Sequence, residues 1–163
     1  MIVSPENWSA IKLLVLDFDG VMTDNRVLVD QDGRETVLCH RGDGFGITQL
    51  KKKGVLIIVL SAEPNPVVSA RCRKLGVQCF QDQQDKIGTL KQFAEEHHLG
   101  PDQIAYVGND LNDIPCLEWV KFSVAVADAM PAVLGKARHV TSKMGGYGAV
   151  REVCDWVLNP DHL

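Results

Sequence analysis

Short apolar runs that stop abruptly at polar turns set the strongest limit on how this chain folds. Residues 11–16, 55–60 and 104–107 are almost wholly apolar, as expected of strands covered on both faces. Residues 77–80 and 123–126 add two further strands. Helix signals fill the intervals. Asp43 caps a helix running to about Lys53, Asn65-Pro66 opens one reaching Leu75, and Asp85 caps one over residues 86–98. Pro131 starts a short helix, and residues 148–158 form the closing one. This alternation predicts an α/β, doubly wound (Rossmann-like) fold with three αβα layers and a mostly parallel sheet. Residues 26–30 and 35–39 flank Gln31-Asp-Gly-Arg34, which predicts a protruding β-hairpin turned through positive φ at Asp32-Gly33.

A chain of 163 residues with 45% hydrophobic residues can bury one substantial core, so residues 1–163 are expected to form a single domain. Seventeen Lys and Arg against 21 Asp and Glu give a net charge of −4, with the basic residues scattered. That excludes the basic footprint of a nucleic-acid binder. No apolar run approaches the roughly 20 residues of a membrane span. Residues 1–10 lack the basic and apolar regions of a secretory signal, so a cytoplasmic location is expected. The five cysteines form no C-x-x-C pair and read as free thiols.

In a doubly wound sheet, ligands bind beyond the carboxyl ends of the strands. Three loops placed there carry Asp17 and Asp19, then Ser61, then Asn109, Asp110 and Asp113. In Asp17-Phe-Asp-Gly-Val-Met-Thr-Asp24, the Gly20 turn allows two carboxylates to approach one site. Clustered carboxylates repel one another unless a cation intervenes, and hard oxygen ligands suit Mg²⁺. Lys86, at a helix start, and Ser61 complete an anion site. Cations to neutralise phosphate oxygens, donors to bond them and a carboxylate to attack in line together point to phosphoryl transfer.

These segments resemble the haloacid dehalogenase (HAD) superfamily of aspartate-nucleophile phosphatases. Asp17-Phe-Asp-Gly-Val-Met-Thr-Asp24 matches its first motif, Ser61 the second, Lys86 the third and Gly108-Asn-Asp-Leu-Asn-Asp113 the fourth. The resemblance implies that Asp17 is the nucleophile, that Asp19 is the general acid and base, and that Ser61 and Lys86 hold the phosphoryl group. It also implies Mg²⁺ held by Asp17, Asp19 and the loop at Asn109 and Asp110. Asn109 stands where the family usually has Asp, so this ligand brings no charge.

The chain is similar to the capless branch of that superfamily, whose members act on sugar acid phosphates. Its further marks are the hairpin, residues 40–46 (His-Arg-Gly-Asp-Gly-Phe-Gly) and residues 145–152 (Gly-Gly-Tyr-Gly-Ala-Val-Arg-Glu). The 41 residues between Asp19 and Ser61 and the 24 between Ser61 and Lys86 leave no room for a cap domain. The branch implies a homotetramer in which the hairpin of one subunit contacts its neighbours. Glu63, Arg71 and Lys74 match the pattern of nine-carbon substrates, 2-keto-3-deoxynononate 9-phosphate or N-acylneuraminate 9-phosphate. They are expected to bind substrate with Ser61 and Lys86, the two cations meeting a carboxylate. The alternatives are a 3-deoxy-D-manno-octulosonate 8-phosphate phosphatase and a non-catalytic tetramerisation module like that of acylneuraminate cytidylyltransferases.

Overall fold

The computed structural model describes residues 7–160; the leader reading at residues 1–6 lies outside them. In chain order the elements are β1 (Leu13–Leu16), β2 (Leu28–Val29), β3 (Glu35–Thr36), α1 (Arg41–Lys52), β4 (Leu56–Leu60), α2 (Val67–Leu75) and β5 (Gln78–Phe80). Then come α3 (Lys86–Glu96), β6 (Ile104–Gly108), α4 (Ile114–Trp119), β7 (Phe122–Ala125), α5 (Pro131–Leu134), β8 (His139–Val140) and α6 (Ala149–Leu158). Six strands form one parallel sheet in the order β5-β4-β1-β6-β7-β8, and β2 and β3 form the separate hairpin. No cap domain interrupts the intervals flanking Ser61, which hold the hairpin, α1 and β4 on one side and α2 and β5 on the other.

Every residue of β1, β6 and β7 is buried, which requires cover on both faces of the sheet. The α1 helix packs against α2 and α6, while α3 packs against α4. Trp8 anchors one margin, its ring 5.1 Å from Phe122 and 5.2 Å from Trp156. From β1 the chain winds through β4 to β5, then crosses back to β6 and continues to β8. The winding reverses between β1 and β6, whose registers align Leu16 with Val107. Their carboxyl ends therefore form the crevice in which this topology binds ligands.

Several boundaries differ from the sequence reading. The hairpin ladder is short because Asp30 turns the chain tightly: its carboxylate accepts from Asp32 N and Arg34 N. Only Gly33 takes positive φ there (+77°), so the turn is a three-residue loop closed by a left-handed Gly. The α3 helix stops at Glu96, before His98 in the left-handed region. The α4 and β8 elements went unread, α4 despite its early Pro.

Asp43 is the largest correction, because α1 begins at Arg41 with His40 as its N-cap. Asp43 instead lies buried between two helices, its Oδ1 accepting from Arg151 N in the first turn of α6 at 3.0 Å. Its other oxygen is buried without a hydrogen-bond partner. Burial pushes this carboxyl up to about 6, against the opposing pull of the Arg151 N–H, His40, Arg71 and Arg151. The folded chain thus keeps a proton that the unfolded chain loses near pH 4. The contribution of this residue to stability falls as pH rises from about 4 to 6, by roughly 3 kcal/mol, and is constant above. Urea unfolding of Asp43→Asn and parent across that window should show the parent losing about 3 kcal/mol more than the variant.

Candidate active site

Asp17 follows β1 directly, its N–H donating to Val107 O of the neighbouring strand at 3.0 Å. The chain then turns tightly: Phe18 O accepts from Val21, Met22 and Thr23 N, and Thr23 Oγ1 accepts from Gly20 N. Gly20 has φ +84°, and a Cβ there would collide with the Asn109 amide. This glycine therefore allows the loops after β1 and β6 to touch.

The charged centre lies beneath these loops. Lys86, at the start of α3, donates to Asp17 Oδ1 at 2.7 Å and to Asp113 Oδ1 at 2.8 Å, and all three side chains are buried. Asp113 also accepts from Tyr106 OH (2.6 Å), Asn109 N (2.9 Å) and Asp110 N (3.2 Å). It fixes the fourth-motif loop and the lysine together. Asp113 stood in the motif without a role, and Tyr106 gave no signal beyond an apolar strand.

Burial, and then the nearby Asp113 charge, push the Asp17 carboxyl up to about 7, with Lys86 opposing. Burial alone lowers the Lys86 ammonium, but Asp17 and Asp113 outweigh it and hold it above its ordinary value. Asp19 is half-buried, and its carboxyl is raised by burial and then by the Glu63 charge.

Asp17, Asp19, Ser61, Glu63, Asn109 and Asp110 line one hollow of about 420 Å³. Ser61 follows β4; its Oγ accepts from Glu63 N (3.1 Å), which leaves its O–H to donate. Glu63 precedes α2 and accepts from Asn65 N, and Asn65 Nδ2 donates to Glu35 at the hairpin. Asp110 accepts from Leu111 N at 2.7 Å. Asn109 Oδ1 is buried and has no hydrogen-bond partner. An unpaired buried oxygen among carboxylates matches the donor set of a hard cation. Lys86 reaches the site from behind, through Asp17.

Arg71 and Lys74 are not brought to this hollow. They line a second one of about 430 Å³, with Thr36, Val37, Cys39 and Arg41, between the hairpin end and α2. Arg71 donates to His40 O. His97 packs on Phe93. Arg151 pairs with Asp155.

Comparison with known proteins agrees with this geometry. The profile of the haloacid dehalogenase-like hydrolases matches residues 76–152. The 3-deoxy-D-manno-octulosonate 8-phosphate phosphatase KdsC of Salmonella typhi is 39% identical over 149 residues, covering 91% of this chain and 79% of that protein. The chain belongs to the haloacid dehalogenase-like hydrolases. A solved structure from Streptomyces avermitilis assigned to the HAD family superposes with a TM-score of 0.92 at 49% identity, covering 97% of this chain and 91% of that one. The octulosonate 8-phosphate phosphatase of Moraxella catarrhalis, solved with magnesium, phosphate and KDO, gives 0.90 at 29% identity, covering 96% and 92%. As an HAD hydrolase, the chain sets its acidic loops at the reversal of the winding, where Gly20 and Asn109 meet. No helix among the described residues is long and apolar enough to cross a membrane.

Proposed function

We propose that this HAD hydrolase is a cytoplasmic, Mg²⁺-dependent phosphatase of a 2-keto-3-deoxy sugar acid phosphate, acting as one catalytic domain over residues 1–163. The observation that carries the reading is the buried Asp17 carboxylate at the crevice, paired with Lys86 and sharing a hollow with Asp19 and Ser61. Asp17 attacks phosphorus, the bond from phosphorus to the sugar oxygen breaks, and Asp19 protonates that oxygen. Asp19 then takes a proton from the water that attacks phosphorus, which breaks the bond to Asp17 and releases phosphate. Ser61 donates to the phosphoryl oxygens, and Lys86 holds Asp17 in place. Asp17, Asp19, Asn109 and Asp110 would hold Mg²⁺, which when bound supplies positive charge to the transferring group.

The intact set of Asp17, Asp19, Ser61 and Lys86 favours catalysis over a purely structural module. Relatives named as octulosonate 8-phosphate phosphatases support the eight-carbon substrate. Glu63 in the hollow supports a nine-carbon one, since it can accept from a hydroxyl or amine of the longer sugar. Arg71 and Lys74 would then meet the substrate carboxylate in a homotetramer, where a neighbouring chain brings its second hollow to this site. The exposed apolar side chains of Val27, Leu28, Val29 and Leu38 on the hairpin suit burial against that neighbour.

The test is phosphate release from the eight-carbon and both nine-carbon sugar acid phosphates, with Mg²⁺ or excess chelator, alongside the mass in solution by light scattering. Chelator should abolish turnover, and the sugar acids should exceed p-nitrophenyl phosphate by about 100-fold in kcat/KM. A monomeric mass with full activity rejects the role given to Arg71 and Lys74. Equal turnover of every phosphomonoester rejects the sugar acid.

A further inference from the structure

The connection from β8 to α6, residues 141–148, meets the Asp17 loop through bare backbone. A Cβ at Gly145 would overlap the Gly20 carbonyl, and one at Gly146 would overlap the backbone at Asp24. Gly146 N donates to Val21 O at 3.1 Å. This segment is a strap pressed on the turn that sets the direction of Asp19, and its position fixes how far Gly20 can move.

One carboxylate ties the start of the strap to α6. Glu152, in the first turn of α6, accepts from Ser142 N at 2.8 Å through Oε1. Its Oε2 accepts from Ser142 Oγ at 3.0 Å and Lys143 N at 2.9 Å. Asp128 Oδ1 accepts from Gly145 N, and Thr141 Oγ1 joins Ala127 N to Lys143 O. The helix carrying Glu152 is itself tied to α1 by the bond from Arg151 N to Asp43. Glu152 makes three of these bonds, and bonds to a charged group are stronger than neutral ones.

We propose that Glu152 is a positioning residue for the Asp17–Asp24 loop, acting through Gly145 and Gly146. Its effect on turnover rests on the phosphatase reading; its effect on the loop does not. Without the carboxylate the strap lifts from Gly20, and the loop samples geometries in which Asp19 misses the leaving oxygen. Loss of such alignment falls on kcat more than on KM.

Hydrogen exchange and kinetics of Glu152→Ala, Glu152→Gln and the surface control Glu118→Gln form the test. In Glu152→Ala the amides of residues 20–24 should exchange about tenfold faster, with those of β4 and α3 unchanged. With p-nitrophenyl phosphate and Mg²⁺, kcat should fall about 10- to 100-fold and KM should stay within about threefold. Gln keeps an acceptor for Ser142 N but loses the one for Lys143 N, so it should fall between Ala and parent. Unchanged exchange at residues 20–24, or acceleration spread evenly over the sheet, overturns the inference. If Glu152→Ala does not fold, Glu152→Gln decides on the same amides, with about threefold expected. A parent inactive on every phosphate ester would reject the phosphatase reading, while the exchange data would still decide the role of Glu152.

Discussion

Asp17→Asn is expected to lose activity by about four orders of magnitude or more while becoming harder to unfold. The activity goes because an amide is no nucleophile toward phosphorus. The stability rises because the parent confines two carboxylates and one ammonium in a buried space. Lys86 lies 2.7 Å from Asp17 and 2.8 Å from Asp113, so it balances only one of the two negative charges. The folded state therefore prefers Asp17 protonated, with its carboxyl near 7. A raised carboxyl costs stability as pH climbs from about 4 to 7, and the cost is complete above that. An isosteric amide escapes it, a gain on the order of 2–4 kcal/mol at pH 8 that vanishes near pH 4. Thermal melts in chelator at the two pH values read this directly. An Asn variant less stable than the parent at pH 8 would overturn the electrostatic account, and one with full turnover would overturn the nucleophile assignment.

Lys86→Met should have the opposite effect on stability. The two carboxylates would face each other across an apolar side chain, and breaking one partner out of a buried ionic group costs about 3–5 kcal/mol. The damage depends on Asp17 being ionised, so it should shrink in acid, and the double variant with Asp17→Asn should recover a large part of it. Urea midpoints around the mutant cycle give the coupling. Additive single effects would mean that Asp17 and Lys86 do not share one electrostatic site. Turnover should be absent in both lysine variants, since the single variant leaves Asp17 without its partner and the double variant has no carboxylate to attack.

The apolar runs ending at Leu16, Leu60 and Val107 placed the carboxyl ends of three buried strands, and so their loops, to within a residue, and their starts to within two, because a strand covered on both faces admits few polar side chains. Asp17, Ser61 and Lys86 were legible for a related reason: each stands at an element boundary, with Asp19 in the turn just after β1. The β8 strand was not legible, being two residues long with only partial burial. The positions misread in the active-site frame share another cause. Asp43 looks like a local cap, yet its hydrogen bond goes to Arg151, more than a hundred residues away. Glu152 gives no local signal of its role and serves Ser142 and Lys143. Tyr106 reads as one more apolar strand residue until its hydroxyl is seen on Asp113. Arg71 and Lys74 share a helix spacing with each other but not a hollow with Glu63, and spacing along one element says nothing about which cavity lies beneath it.

The strap across Gly20 also orders events during synthesis. The sheet strands around Asp17 are complete once β7 has formed, but the segment that braces the turn after Asp17, and the glutamate bonded to it, come from the last part of the described chain. The most distant contacts close last in a chain made from one end. A growing chain therefore owns its acidic loops long before it can aim them, and competence for chemistry arrives together with completion of the fold.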